Sequence, residues 1–253
     1  MVYVTGDCHA DWGKFSTSCF PEQKEMTRDD FVIVCGDFGI WHSNKTEKWW
    51  FQWLEDKPFT LLFVDGNHEN FDRLYSNEFP IVNFHGGKAH QICENVFHLM
   101  RGYVFDLCGK KFFAFGGASS HDIDDGILDR EDFVDDNDFM DTYRKWQVQG
   151  KMFRVNHISW WKEEMPSDEE MEFGLRTLKE NGNKVDYIIS HCAPQEAAAV
   201  ISHGGYKKDK LTMYFNEIAH SVDFTKWLFG HYHDNRNVLQ KYILLYEQIL
   251  RIV

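Results

Sequence analysis

Phe31-Val32-Ile33-Val34-Cys35-Gly36-Asp37, and Leu61-Leu62-Phe63-Val64 followed by Gly66-Asn67-His68-Glu69, repeat one construction: an apolar run stops in a glycine turn and then offers a metal-type side chain. The construction recurs in Val2-Tyr3-Val4 before Gly6-Asp7-Cys8-His9, in Tyr187-Ile188-Ile189 before Ser190-His191, and in Trp227-Leu228-Phe229 before Gly230-His231-Tyr232-His233. Short apolar runs rich in β-branched and aromatic residues, closed by glycine, read as strands. Strands that end this way set polar side chains along one edge of a sheet, where open α/β sheets bind their ligands. Five such ends in one chain point to a single polynuclear metal site.

The blocks run from Asp7 to His233 of 253 residues, so a single domain over 1–253 must contain nearly all of them. A net charge of −13 argues against a broad basic surface, and so against long nucleic acid or anionic lipid as partners. It leaves a small anionic substrate open, because bound divalent cations reverse the local field. Asp7 and His9 interrupt the only apolar start, so no signal peptide is expected, and no apolar run approaches a membrane span. Six cysteines without a Cys-x-x-Cys pair read as reduced thiols of a cytoplasmic protein. Cys8 lies between two candidate ligands, but in an extended segment it points away from both.

Between the early blocks, Trp12 to Phe20, Thr46 to Glu55 and Asn70 to Tyr75 read as helices, so the first third alternates strand and helix and predicts parallel pairing. Tyr103–Leu107 and Lys111–Phe115 flank a turn at Cys108-Gly109 and predict a β-hairpin. Ser119 to Pro166 is acidic in its first half and has no continuous periodicity; it reads as an insertion or lid. Ser167-Asp168-Glu169-Glu170 is a capping box for a helix to about Glu180, and a further helix is expected from about Leu211 to His220. Val238 to Val253 alternates as one or two closing strands.

Carboxylate, amide and imidazole donors together suit first-row ions such as manganese, iron, zinc or cobalt better than calcium or a thiolate zinc site. Seven ligands exceed one tetrahedral ion and divide over two if a carboxylate bridges, and Asp37, central in the series, is the natural bridge. Any one block alone has a plainer reading: Gly36-Asp37 as a turn, Asn67 and Glu69 as an Asx turn, His191 as a structural histidine. The ordered series is what favours metal.

That series, Asp7-x-His9, Gly36-Asp37, Gly66-Asn67-His68-Glu69, His191 and Gly230-His231-x-His233, resembles the calcineurin-like metallophosphoesterase superfamily in order, approximate spacing and placement after strands, over nearly the whole chain. The resemblance implies a four-layer α/β/β/α sandwich. It implies that Asp7, His9, Asp37 and His233 hold one transition-metal ion, and Asp37, Asn67, His191 and His231 the other. It further implies hydrolysis of a phosphate ester by in-line attack of a metal-activated water. His68, left without a metal, then protonates the leaving oxygen or stabilises its charge, and Asn67 and His68 touch substrate.

Two departures bear on substrate. Serine/threonine phosphatases of the superfamily carry Asp and then Arg from the third residue after the bridging Asp; here Ile40 and Trp41 stand there. The carboxylate partner of His68 and one phosphate-gripping arginine are therefore missing, and Arg101, with Arg73 beside it, is the candidate to replace the charge. The expected activity is on a phosphomonoester or small phosphodiester. A nuclease or cyclic-nucleotide phosphodiesterase is the alternative within enzymes, and a non-catalytic metal-binding interaction scaffold the alternative outside them. His42 and His121 are secondary candidates for substrate contact, and Trp160 and Trp161 are either an aromatic wall or packing.

Overall fold

The computed structural model describes residues 1–253. Its strands, in chain order, are β1 (Val2–Thr5), β2 (Phe31–Val34), β3 (Thr60–Phe63), β4 (Ile81–Phe84), β5 (Gly87–Cys93), β6 (Val96–Leu99), β7 (Tyr103–Leu107), β8 (Lys110–Phe115), β9 (Gly126–Leu128), β10 (Phe153–Val155), β11 (Tyr187–Ser190), β12 (Lys226–Phe229), β13 (Arg236–Val238), β14 (Tyr242–Leu244) and β15 (Leu250–Arg251). The α-helices are α1 (Lys45–Glu55), α2 (Phe71–Leu74), α3 (Asp136–Val148), α4 (Asp168–Glu180), α5 (Gln195–Ile201) and α6 (Lys210–Ser221).

Two sheets carry the site. One has seven strands in the order β15-β1-β2-β3-β6-β5-β4, the other six in the order β13-β14-β12-β11-β8-β7. Strands β1, β2, β3 and β6 are mutually parallel, as are β8, β11, β12 and β14. All five ligand blocks therefore leave their sheets at carboxyl ends.

Side-chain alternation along each strand builds the layers. Val4, Ile33 and Leu62 of the first sheet meet Phe112, Ala114, Ile189 and Leu228 of the second in a cluster between the sheets. Their neighbours Val32, Val34, Leu61 and Phe63 turn outward to Trp12, Phe15, Leu54 and Phe71. On the far side Phe113, Phe115, Ile188, Trp227 and Phe229 pack against Met171, Leu178, Phe215 and Ile218 of α4 and α6. This is an α/β/β/α sandwich. Strands buried on both faces need continuous apolar runs, which is what the sequence carries. Each fully buried side chain of this kind contributes roughly 1.5–3 kcal/mol.

Helix starts follow their caps: Asn44 accepts from Glu47 N ahead of α1, and Ser167 with Glu170 forms the reciprocal box of α4. The expected helix from Trp12 to Phe20 is reduced to a 3-10 turn at Gly13–Phe15. Beyond it the Ser16 hydroxyl lies 3.0 Å from that of Ser18 and accepts from Cys19 N, local bonds that compete with helix. The antiparallel β4-β5-β6 meander was not foreseen as such. The closing strands divide, β14 joining the second sheet and β15 returning antiparallel to β1 in the first.

Residues 119–166 form a parallel β9-β10 pair joined through α3, with Leu128, Phe139 and Val155 as a small core of their own. No helix is long and apolar enough to cross a membrane.

Candidate active site

The strand-end turns are so close-packed that glycine is required. A Cβ on Gly66 would lie 2.0 Å from Asp37 Oδ1, and one on Gly230 would lie 2.1 Å from Asp7 Oδ1. His9, Asp37, His231 and His233 all adopt positive φ, from 48° to 70°, which costs of order 1–3 kcal/mol each in a non-glycine residue. The turns hold one another in that shape. Cys8 N and His9 N donate to the Asp37 carbonyl at 3.0 and 2.7 Å, and Gly230 N donates to the His191 carbonyl at 3.0 Å. Glu69, fully buried, accepts from Phe38 N, Gly39 N and Ile40 N at 2.7, 3.0 and 3.0 Å, clamping the loop behind Asp37. Burial and the nearby Asp37 push its carboxyl up to about 8 against those three donors.

Each central carboxylate is divided between two jobs. Asp37 Oδ1 accepts from His68 N at 2.8 Å, while Asp37 Oδ2 lies 3.3 Å from His191 Nε2 and 3.7 Å from His9 Nε2. Asp7 Oδ1 accepts from His231 N at 3.0 Å, while Asp7 Oδ2 lies 3.1 Å from His233 Nε2 and 3.6 Å from His9 Nε2. That second oxygen is buried and makes no hydrogen bond of acceptable geometry. An orphaned buried carboxylate oxygen is costly unless a cation meets it.

His191 is oriented by its other nitrogen: Nδ1 sits 2.7 Å from the Cys35 carbonyl, which can only accept, so the proton belongs on Nδ1 and the Nε2 lone pair faces the site. There it meets Asn67 Oδ1 at 3.2 Å and Asp37 Oδ2 at 3.3 Å, three lone-pair donors converging on one space. His231 packs edge-on to it, ring centroids 4.9 Å apart.

Charge follows the same pattern. Burial works against the His191 imidazolium, but the Asp37 and Asp7 carboxylates push its pKa up to about 10. Burial would raise the Asp7 carboxyl, yet His233, His9 and His191 hold it far below its ordinary value. Burial, then the His191 charge, lowers His231 to about 3 and keeps it neutral, the form that ligates metals. Donor atoms of Asp7, His9 and His233 thus lie together, as do those of Asp7, Asp37 and His191, with Asn67 Oδ1 facing His191, and such a mixture of carboxylate, amide and imidazole donors fits a metal ion.

The family model described as calcineurin-like phosphoesterase matches residues 1–235. The chain belongs to the calcineurin-like phosphoesterase family. Among curated proteins it is similar to lariat debranching enzyme A of Xenopus laevis, 25% identical over 227 residues; the match covers 83% of this chain but only 35% of that protein. Among solved structures it is similar to the phosphopantetheinyl hydrolase of Mycobacterium tuberculosis, with a TM-score of 0.38 and 14% identity over 97% of this chain and 87% of that one. Membership places this phosphoesterase among metal-dependent hydrolases of phosphate esters.

The fold brings Asp7, His9, Asp37, Asn67, His68, His191, His231 and His233 of the phosphoesterase to one place, and it does not bring Arg101. Arg101 is turned into the protein, its side chain 2% exposed, donating to Asp65 at 3.0 and 2.5 Å and to the Glu163 carbonyl at 2.7 Å. The expectation that it grips phosphate is corrected: a buried carboxylate claims its fork. Arg73 is likewise engaged, with Glu47 and Glu78. Trp161 is packed in the first sheet's outer cluster, not standing as a wall, and His42 is exposed. His121 lies beside His231, centroids 6.0 Å apart.

Two residues of the 119–166 segment, Ser120 and Arg154, reach the site without having been singled out by sequence. Ser120 lies at Asn67 Nδ2, 3.4 Å away, and is itself held by Glu164. Arg154, fixed by Asp122, brings Nη1 to 3.4 Å from His68 Nδ1. The only trace was the apolar-charged-apolar triplet Phe153-Arg154-Val155, too short to stand out. At the position where an arginine was missed, Trp41 donates its indole N–H to the His68 carbonyl at 2.7 Å. A cavity of about 370 Å³ opens beside His231, lined by Ser119, Ser120, His121, Tyr232, Lys207 and Lys208 among others.

Proposed function

We propose that this chain is a dinuclear phosphoesterase that hydrolyses a phosphomonoester or small phosphodiester. The observation that carries the reading is Asp37 Oδ2, aimed between two sets of lone-pair donors while its partner oxygen is tied to the backbone. Two bound cations supply Lewis acidity toward the phosphoryl oxygens and an activated water for in-line attack. The chain's own groups do the rest. Asn67 and the histidines fix the donor geometry, and the strained turns keep it from relaxing. His68, half-buried beside His9 with ring centroids 5.3 Å apart, faces the leaving oxygen. Burial, the Arg154 charge and the neighbouring imidazoles lower its pKa despite Asp37, so it works as a neutral imidazole near pH 7. The cavity beside His231 has the volume of a small-molecule site, and Lys207 and Lys208 on its wall suit an anionic leaving group.

The test is hydrolysis of p-nitrophenyl phosphate and of its bis-ester by protein loaded with Mn²⁺, Zn²⁺ or Fe²⁺. Turnover that requires metal, and a His68→Ala loss of about a hundredfold or more with metal content intact, is the expected result. Metal-loaded wild type as inert as His68→Ala across a broad phosphate panel would leave a non-catalytic scaffold. A second reading, debranching of the kind named for the Xenopus relative, draws on the 25% identity to it, and a branched diester in the same panel separates the two.

A further inference from the structure

Within that phosphoesterase reading, we propose that Arg154 is the positioning residue that sets the tautomer of His68, so that His68 acts as a neutral hydrogen-bond donor to the leaving oxygen and gives up no proton. The argument is one of donors and acceptors. An arginine fork has five N–H groups and no acceptor. Nε and Nη2 of Arg154 are committed to Asp122 at 2.9 and 2.7 Å, and one Nη1 hydrogen to the Ser159 carbonyl at 3.1 Å. The remaining Nη1 hydrogen faces His68 Nδ1 at 3.4 Å.

Nδ1 must therefore accept, which leaves the ring proton on Nε2. An imidazolium, or the other neutral tautomer, would set N–H against N–H. A carboxylate in the same place would draw the proton to Nδ1 and strip Nε2; here the third residue after Asp37 is the buried Ile40, and Asp122 is occupied by the guanidinium. His68 Nε2 makes no hydrogen bond within the chain, so its N–H is free for a ligand. When the P–O bond to the leaving group breaks, its electrons go to the leaving oxygen. That oxygen is stabilised by the Nε2–H dipole and takes its proton from water.

Two measurements test this. In ¹⁵N-labelled, Zn²⁺-loaded wild type, His68 should show a pyridine-type Nδ1 and a pyrrole-type Nε2 at neutral pH; a protonated Nδ1 overturns the proposal whatever the catalytic outcome. In kinetics, Arg154→Ala should lower kcat for an alkyl phosphate by about tenfold more than for p-nitrophenyl phosphate, the size of a coupling between contacting residues. It should add nothing in a His68→Ala background, and Arg154→Lys, which keeps charge but not the fork, should not restore the loss. Equal losses with both leaving groups would reduce Arg154 to a structural role and overturn the proposal. Absence of any turnover by wild type would refute the phosphoesterase reading instead, and the labelling experiment would still decide the tautomer.

Discussion

The rim of strand ends and the 119–166 segment both border the site, but they are held there by different forces. Ligand turns on the rim grow out of strands buried on both faces and are cross-tied by backbone bonds, as from His9 N to the Asp37 carbonyl at 2.7 Å. The segment has a core of only three buried apolar residues, with Trp161 lent to the first sheet's outer cluster, and polar contacts do much of the remaining docking: Asn67 to Ser120 at its base, Arg101 to the Glu163 carbonyl, and Trp161 and His157 to Asp72. A rim built this way cannot shift without disturbing the core. A segment held by hydrogen bonds can open at a cost of a few kcal/mol. The proposed ligands sit on the first, and Ser120 and Arg154, which contact Asn67 and His68, on the second.

The sharpest break in that contrast is at the bridge. Asp37→Asn removes the charge that both donor sets share, and should lower metal content by elemental analysis and kcat/KM by roughly a thousandfold or more, while the rim-based fold remains. Intact metal and activity would mean the rim does not hold the ions. Next is Arg101→Met, which leaves Asp65 buried with only His98 as a partner. Breaking one side of a buried pair costs about 3–5 kcal/mol. Unfolding by urea should show that loss, with kcat/KM little changed at low temperature; unchanged stability with a raised KM would restore Arg101 to the phosphate.

Glu164 tests the base of the segment. Burial pushes its carboxyl from an ordinary 4.5 up to about 7, against the two Ser120 donors. Between those values the folded state binds more protons than the unfolded one, so stability falls as pH rises through the window, by at most about 3 kcal/mol. Glu164→Gln should flatten the profile of Tm against pH over that range. An unchanged slope would mean that water reaches Glu164 and that the base is open.

How far the sequence could be read follows the same division. Runs such as Phe31–Val34 and Leu61–Val64 are continuous because both faces are covered, and a glycine must follow wherever a Cβ would strike a ligand, as at Gly66 and Gly230. Strand, turn and ligand are therefore written side by side in the chain. Arg101 was misplaced because residue type says nothing of partners, and Asp65 lies 36 residues away. Arg154 was missed because its meaning lies in Asp122, Ser159 and His68, which meet only after the segment folds. The Trp12–Phe20 helix failed where serine hydroxyls offered the backbone nearer partners.

The smallest effect is the most telling for the contrast. Asp72 at α2 accepts from the Trp161 indole at 2.8 Å and lies 2.9 Å from His157 Nδ1, tying the segment to the first sheet's outer layer. The Asp72 hydrogen bond raises the pKa of His157, so this contact is strongest at low pH and weakens as His157 loses its proton. Asp72→Ala removes both, but the exposed His157 pair adds little and the Trp161 bond is worth about 1 kcal/mol. If the segment is a separately opening unit, hydrogen exchange should quicken about fivefold across β9, α3 and β10 and leave β1, β2 and β11 unmoved, because that free energy belongs to local opening and not to the core. Exchange that quickens equally in both regions would show that the two are one cooperative body, and that groups of the segment are as fixed as the residues they contact.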